Sequence, residues 1–349
     1  WDEGHVGKHL DWVRMIEFNT VKQNFAWRDL ESQPGVWDFS QSDRILGEVE
    51  RRGLKLVARL GQVPDWMLPD GLSSSEHTDA PPTDLNAWAS YCATIASRYP
   101  GRIHAYQIWN EPNLSREWGN REPNAAEYVE VLAACAQAIR AADPQAILIS
   151  AGLAPTGNHD AIAHRDDLYL DALYQAGFQR YIDVVGAHAP GFAPPSIGPD
   201  QTGAEGQPGR WASFRRIEDL RKIMIEHGDA ARQIAILEFG WTTDPVNPDY
   251  SWYAVDEETQ AQYIRQAYAY AVEHWRPWVG LMVLIYLPKP TWDENDEEYW
   301  WSVALPNGFV RPAFYEIARM PKYCGDFIIP ERAPDDPEFR GDVPTSPCP

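Results

Sequence analysis

Seven short runs rich in β-branched, aliphatic and aromatic residues recur along the chain, at 20–27, 55–63, 105–112, 147–154, 184–190, 234–241 and 280–287. They are mostly apolar on both faces, the pattern of strands in a parallel sheet that is covered on both sides. Interleaved with them, segments 43–52, 85–99, 125–142, 213–227 and 257–274 are amphipathic and read as crossover helices. Asp84 is placed to cap one of these. Asn124, followed three residues later by Glu127 and then an apolar run, resembles a capping box for another. Strand and helix alternating this regularly build βαβ units, and seven such strands in one chain point to an α/β fold of the (β/α)8 TIM-barrel type.

One strand of the eight is not found. Segment 6–18 reads as the helix that precedes the run at 20–27, and no spare strand pattern remains elsewhere, so the first strand is expected upstream of Trp1. The expected organisation is a catalytic barrel over residues 1–329, lacking its first strand in this sequence, and an irregular Pro- and Asp-rich tail at 330–349. Connections from helix to strand are short, as at 52–54, 143–145 and 227–232. Connections from strand to helix are long, at 64–83, 113–123, 155–167, 191–212, 242–256 and 288–306, and concentrate Pro, Trp, Asp and Gly. Elaboration at the C-terminal ends of the strands is where barrels of this kind build their sites.

Charge narrows the function. The chain has 349 residues with 51 acidic against 30 basic, a formal net charge of −21, which opposes nucleic-acid binding because a polyanion is repelled and no counterions are released. The longest apolar run, 279–287, is far short of the roughly 20 residues of a membrane span. Of the four cysteines, Cys92 and Cys135 sit in Ala-rich helical patterns and read as small core residues, whereas Cys324 and Cys348 are the pair expected to be able to join. A secreted or cell-surface location is the expectation over a cytoplasmic one, and the sequence does not indicate an oligomeric state.

Two carboxylates stand at strand ends: Glu111 closes the run Ala-Tyr-Gln-Ile-Trp-Asn-Glu-Pro at 105–112, and Glu238 lies in Ile-Ala-Ile-Leu-Glu-Phe-Gly-Trp at 234–241. In the inferred barrel they face each other across the mouth. Such a pair is the minimal apparatus for glycoside hydrolysis, one carboxylic acid protonating the leaving oxygen while the other attacks the anomeric carbon or activates water.

The surrounding residues resemble clan A glycoside hydrolases, family 39 and its cellulase-like relatives. The similarity runs through 27–66 (with Gln-Pro-Gly-Val-Trp-Asp-Phe-Ser and Gly-Leu-Lys-Leu-Val-Ala-Arg-Leu-Gly-Gln-Val-Pro-Asp-Trp), Ile-Trp-Asn-Glu-Pro-Asn at 108–113, His188, and Leu-Glu-Phe-Gly-Trp at 237–241. It implies a retaining double displacement on an oligosaccharide or polysaccharide, with β linkage, without cofactor or metal. Glu111 is then the acid/base, Glu238 the nucleophile, and Asn110 the ligand of the sugar 2-hydroxyl. His188, Trp27, Trp241 and Tyr286 are the further substrate-binding candidates, since aromatic faces stack on sugar rings.

Neighbouring strand residues point to opposite faces, so Asn110 and Glu111 can share a pocket only where the strand end bulges or turns. Glu111 is expected to stay protonated in a less polar setting, and Glu238 to be kept ionised by hydrogen bonds. The chain departs from the family pattern at Ala189-Pro190, where Pro-Tyr is common, and at Tyr286, where Trp is. These departures keep a second reading open, a barrel that binds carbohydrate without turnover. A third, an inverting hydrolase, differs in the spacing of the same carboxylates. The acidic run 293–298 lacks the spacing of a calcium loop, His159 and His164 lack a zinc-protease arrangement, and Asn113 opens a glycosylation sequon that would crowd Glu111.

Overall fold

The computed structural model describes residues 3–74 and 79–322. The expected tail at 330–349, with Cys324 and Cys348, lies outside the described residues. Seven parallel strands pair in sequence order: β1 (Thr20–Ala26), β2 (Lys55–Gly61), β3 (Ala105–Ile108), β4 (Ile147–Ile149), β5 (Val184–Pro190), β6 (Gln233–Gly240) and β7 (Val279–Leu284). Helix α1 (Glu3–Met15) precedes β1. The larger crossover helices are α2 (Ser40–Arg51), α3 (Leu85–Arg98), α4 (Ala125–Ala142), α5 (Asp166–Ala176), α6 (Ile217–Glu226) and α7 (Glu257–Tyr270), and α8 (Pro312–Arg319) follows β7.

Period-two alternation sorts the strand residues into two apolar layers. Val57, Ala105, Ile147, Ile149, Val184, Ala235, Leu237 and Leu281 meet inside the curl of the sheet. The alternate positions, among them Leu56, Leu60, Tyr106, Ile108 and Ile236, pack outward against the helices in a larger cluster. The sheet curls far enough that Lys22 of β1 reaches Glu238 of β6 across the interior, at 2.8 Å. On the outside, Phe18 beyond α1 meets Tyr268 of α7 with ring centroids 5.4 Å apart. Strands in the middle of the sheet are almost wholly buried, whereas β1 and β7 are mostly half-buried along their lengths.

Helix starts follow the expected chemistry in part. Asp84 accepts from the Asn86 amide at 2.8 Å, and Asn124 accepts from the amides of Ala126 and Glu127. The Glu127 side chain, however, takes bonds from the Trp118 indole at 2.9 Å and from Arg121, so the reciprocal half of a capping box is replaced by a tie to the preceding loop. The cysteine expectation is overturned more plainly. Cys92 of α3 and Cys135 of α4 form a disulfide, with Cα atoms 5.4 Å apart, because the two helices pack side by side over β3. Asn113 is fully buried, its amide donating to the carbonyls of Ala154 and His164, so its sequon is closed to modification.

Candidate active site

The end of β3 is bent by two left-handed residues, Trp109 at φ 72° and Glu111 at φ 40°. Such conformations are costly for residues with a Cβ and persist where the surroundings over-determine them. Here they break the alternation of the strand: the Asn110 side-chain amide reaches Glu117 at 3.5 Å, while the Glu111 carboxylate meets His188 and Arg116. The Glu111 amide donates to the Gly152 carbonyl at 3.0 Å, and Gln107 donates to the Trp109 carbonyl at 2.9 Å. On β6 the pairing with β5 slips between Ala187 and His188, so Glu238 pairs with His188 and turns inward directly after inward-facing Leu237.

His188 lies between the two carboxylates. Its Nδ1 is 2.9 Å from Glu111 Oε1, and its Nε2, which has no hydrogen-bond partner, is 3.9 Å from Glu238 Oε1. Gly152 makes the room: a Cβ there would come within 2.2 Å of the imidazole. One oxygen of each carboxylate and one ring nitrogen of His188 all lie within 4.8 Å of one another. That spacing also suits a metal ion, but Lys22 already sits on Glu238 and Arg116 bonds Glu111 Oε2 at 3.0 Å. The positive charge a cation would contribute is supplied by side chains.

Electrostatics separate the two groups less simply than the sequence implies. Burial pushes Glu238 up, but the charges of Lys22, His188 and Arg59 and the hydrogen bond from Lys22 outweigh it and hold the group at about 2, ionised as expected. For Glu111, burial also pushes upward, yet the hydrogen bond and charge of His188 and the charge of Arg116 prevail, so its carboxyl sits below the ordinary value. The expectation that Glu111 stays protonated is therefore corrected: burial alone would raise it, but His188 Nδ1 lies 2.9 Å from one of its oxygens and Arg116 donates to the other. A third carboxyl, Glu117, lies beside Asn110 at 3.5 Å and is lifted to about 8 by burial, helped by the charges of Glu111 and Asp79.

Tyr286, after β7, is half-buried, and its hydroxyl is raised by burial and by the charges of Glu238, Glu297, Glu298 and Glu111, so both carboxylates of the pair face it. Trp27 and Trp241 do not face the pair. Trp27 is fully buried, donates its indole N–H to Glu31 at 2.7 Å and stacks on Tyr91. Trp241 is fully buried too, donates to the Ala193 carbonyl and lies against Gly191, where a Cβ would clash at 2.0 Å. Both belong to the layer between sheet and helices, out of reach of a sugar. Lys22, Arg59, Arg116 and Glu117 are site residues that the sequence reading missed. For Arg59 a signal was present, since a charge in the middle of the apolar run of β2 must point into a polar interior.

Comparison with known proteins agrees with this fold. The family described as "Glycosyl hydrolases family 39" matches residues 9–176. A beta-xylosidase of Geobacillus stearothermophilus is 26% identical over 130 residues, 33% of this chain and 24% of that protein. An endo-1,4-beta-xylanase of Agaricus bisporus is 24% identical over 111 residues, 31% of this chain and 30% of that protein. The matched region thus covers less than a third of either relative. Among solved structures, a family 39 glycoside hydrolase from Bacteroides cellulosilyticus WH2 superposes with a TM-score of 0.65 at 18% identity, covering 91% of this chain and 60% of that one. A glucosidase from Croceicoccus marinus gives 0.63 at 14% identity, covering 88% and 62%. The chain resembles clan A glycoside hydrolases, family 39 among them, and shares their fold.

Proposed function

We propose that this chain is the catalytic barrel of a retaining glycoside hydrolase acting on β-linked glycans, with Glu238 as nucleophile and Glu111 as acid/base. The observation that carries the reading is the spacing of the pair: oxygens of the two carboxylates lie within 4.8 Å, with His188 between them. Retaining enzymes hold their carboxyl groups about 5 to 5.5 Å apart, and inverting ones roughly 6.5 to 9.5 Å to leave room for water. Glu238 attacks the anomeric carbon as Glu111, in the form that carries a proton, gives it to the departing oxygen. Water, deprotonated by Glu111, then releases the sugar from Glu238. Asn110, beside Glu111, is the ligand for the 2-hydroxyl, and Tyr286, faced by both carboxylates, is a further substrate contact.

A barrel that only binds carbohydrate is disfavoured by the survival of both carboxylates in working distance and by the ionised state of Glu238. The half-buried edges of β1 and β7 support a full (β/α)8 barrel with one more strand between them. Helix α1 lies beside α2, where Arg52 bonds Asp11 at 2.7 Å and the Gly7 carbonyl at 3.1 Å, as a crossover helix into β1 would, so the additional strand is the one that precedes α1. The Cys92–Cys135 bridge supports an oxidising, secreted or cell-surface setting.

The test is a panel of aryl β-glycosides with the anomer of the first product read by NMR. Glu238→Ala should abolish turnover, and Glu111→Ala should leave slow hydrolysis of glycosides with good leaving groups alone. Undiminished activity in Glu238→Ala, or an inverted first product, refutes the assignment.

A further inference from the structure

The rim of the mouth carries aromatic side chains that the acid pair does not use. Phe192 and Trp211 come from the loop after β5, and Tyr250, Trp252 and Tyr253 from the loop after β6. Ring centroids run from Phe192 to Trp252 at 5.7 Å, from Trp211 to Trp252 at 6.5 Å, from Trp252 to Tyr253 at 4.5 Å and from Tyr253 to Tyr250 at 6.1 Å. Trp252 remains 49% exposed while its indole N–H is fixed to the Asp249 carbonyl at 2.9 Å. Tyr250 and Tyr253 are both backed by Trp301 at 6.3 Å. A large ring half in solvent, with its N–H tied to the backbone, offers a flat apolar face.

The cluster connects to one side of the acid pair. Tyr250 is hydrogen-bonded to Glu297; the charge of Arg116 faces both, and Arg116 in turn bonds Glu111. Lys22, the partner of Glu238, comes from β1, away from these loops. Glu297 and Arg116 lie beside these rings, and rings with polar groups at their edge suit a molecule with apolar ring faces and hydroxyl edges. The net charge of −21 opposes an acidic one. A single half-exposed indole is too small a surface for a stable protein partner.

We propose that Trp252, flanked by Phe192 and Trp211, is a stacking platform for a neutral sugar in the leaving-group part of the substrate, so that the protein takes oligosaccharide chains in preference to glycosides of small aglycones. This rests on Glu111 being the acid/base, because the side of the pair that donates the proton is the side on which the leaving group departs.

A panel of β-glycosyl fluorides (xylosyl, glucosyl, mannosyl, galactosyl) reads the chemistry with a leaving group too small to reach the rim. The matching β-1,4-linked tetrasaccharide reads chemistry and platform together. Trp252→Ala should lower the ratio of kcat/KM for tetrasaccharide to that for fluoride by roughly 3- to 10-fold, and Trp252→Tyr should recover part of it. An unchanged ratio overturns the proposal. If the wild type hydrolyses no fluoride, the catalytic reading fails, and the platform is then read by calorimetry in Glu238→Gln with xylotetraose and cellotetraose. Weakening by the same factor on Trp252→Ala supports the stacking platform alone, without its leaving-group side, and unchanged affinity, or no binding of either sugar, overturns it.

Discussion

Replacing Arg116 by Gln should move the alkaline limb of kcat/KM to higher pH by about 0.7 unit. The limb of kcat/KM reports the free protein's essential acid, which the proposed mechanism makes Glu111. Arg116 Nη2 lies 3.0 Å from Glu111 Oε2, with the arginine side chain 58% exposed and the glutamate 12%. At an effective dielectric constant of about 20, Coulomb attraction at that distance amounts to roughly 5 kcal/mol, but solvent at the arginine screens most of it. About 1 kcal/mol remains, and 1.36 kcal/mol corresponds to one pH unit.

The sign follows from which form the arginine favours. A cation stabilises the carboxylate, so its removal raises the pKa and keeps the proton on Glu111 to higher pH. The limb should shift for a phenyl glycoside, whose departure needs protonation, and should not shift for a 2,4-dinitrophenyl glycoside, which leaves unaided. A limb that stays in place or moves to lower pH for the phenyl glycoside, or an equal shift for both substrates, refutes the reasoning.

Lys22→Met removes the charge beside Glu238, so this carboxyl, the proposed nucleophile, should rise from about 2 toward the ordinary carboxylate range and carry the acidic limb of kcat/KM upward by about 1 to 2 units. The two-sided pH profile of the variant checks this, and an acidic limb at the wild-type position counts against the pairing. The bridge between Cys92 and Cys135 closes a loop with a sequence separation of 43 residues. The double variant Cys92→Ala/Cys135→Ala should lose roughly 2 to 4 kcal/mol in urea unfolding while its kcat stays near wild type, and undiminished stability would mean the helices hold that loop without it.

Much of the site was legible because it sits where local pattern is strongest. Glu111, Asn110 and Glu238 lie at the ends of apolar strands, and a carboxylate ending such a run has few structural excuses. The contacts that tune them were not legible, because their partners are distant in the chain: Lys22 is 216 residues from Glu238, and His188 is 77 from Glu111. Trp27 and Trp241 were misplaced for a related reason. A tryptophan near a strand end faces either the mouth or the helix layer, and which one depends on register, on glycines such as Gly191 and on acceptors such as Glu31. The disulfide was missed because two cysteines in separate Ala-rich helices look like ordinary core residues until the helices are set side by side.

The sequence by itself determined the order of strands and helices, the one-sided elaboration of the loops and the presence of an acid pair, since periodicity and loop length are local properties of the chain. Tertiary structure alone decided the protonation of that pair and which aromatics meet solvent. Charge interactions and burial depend on distances through space, and the curl of the sheet sets those by bringing β1, β3, β5 and β6 to one mouth.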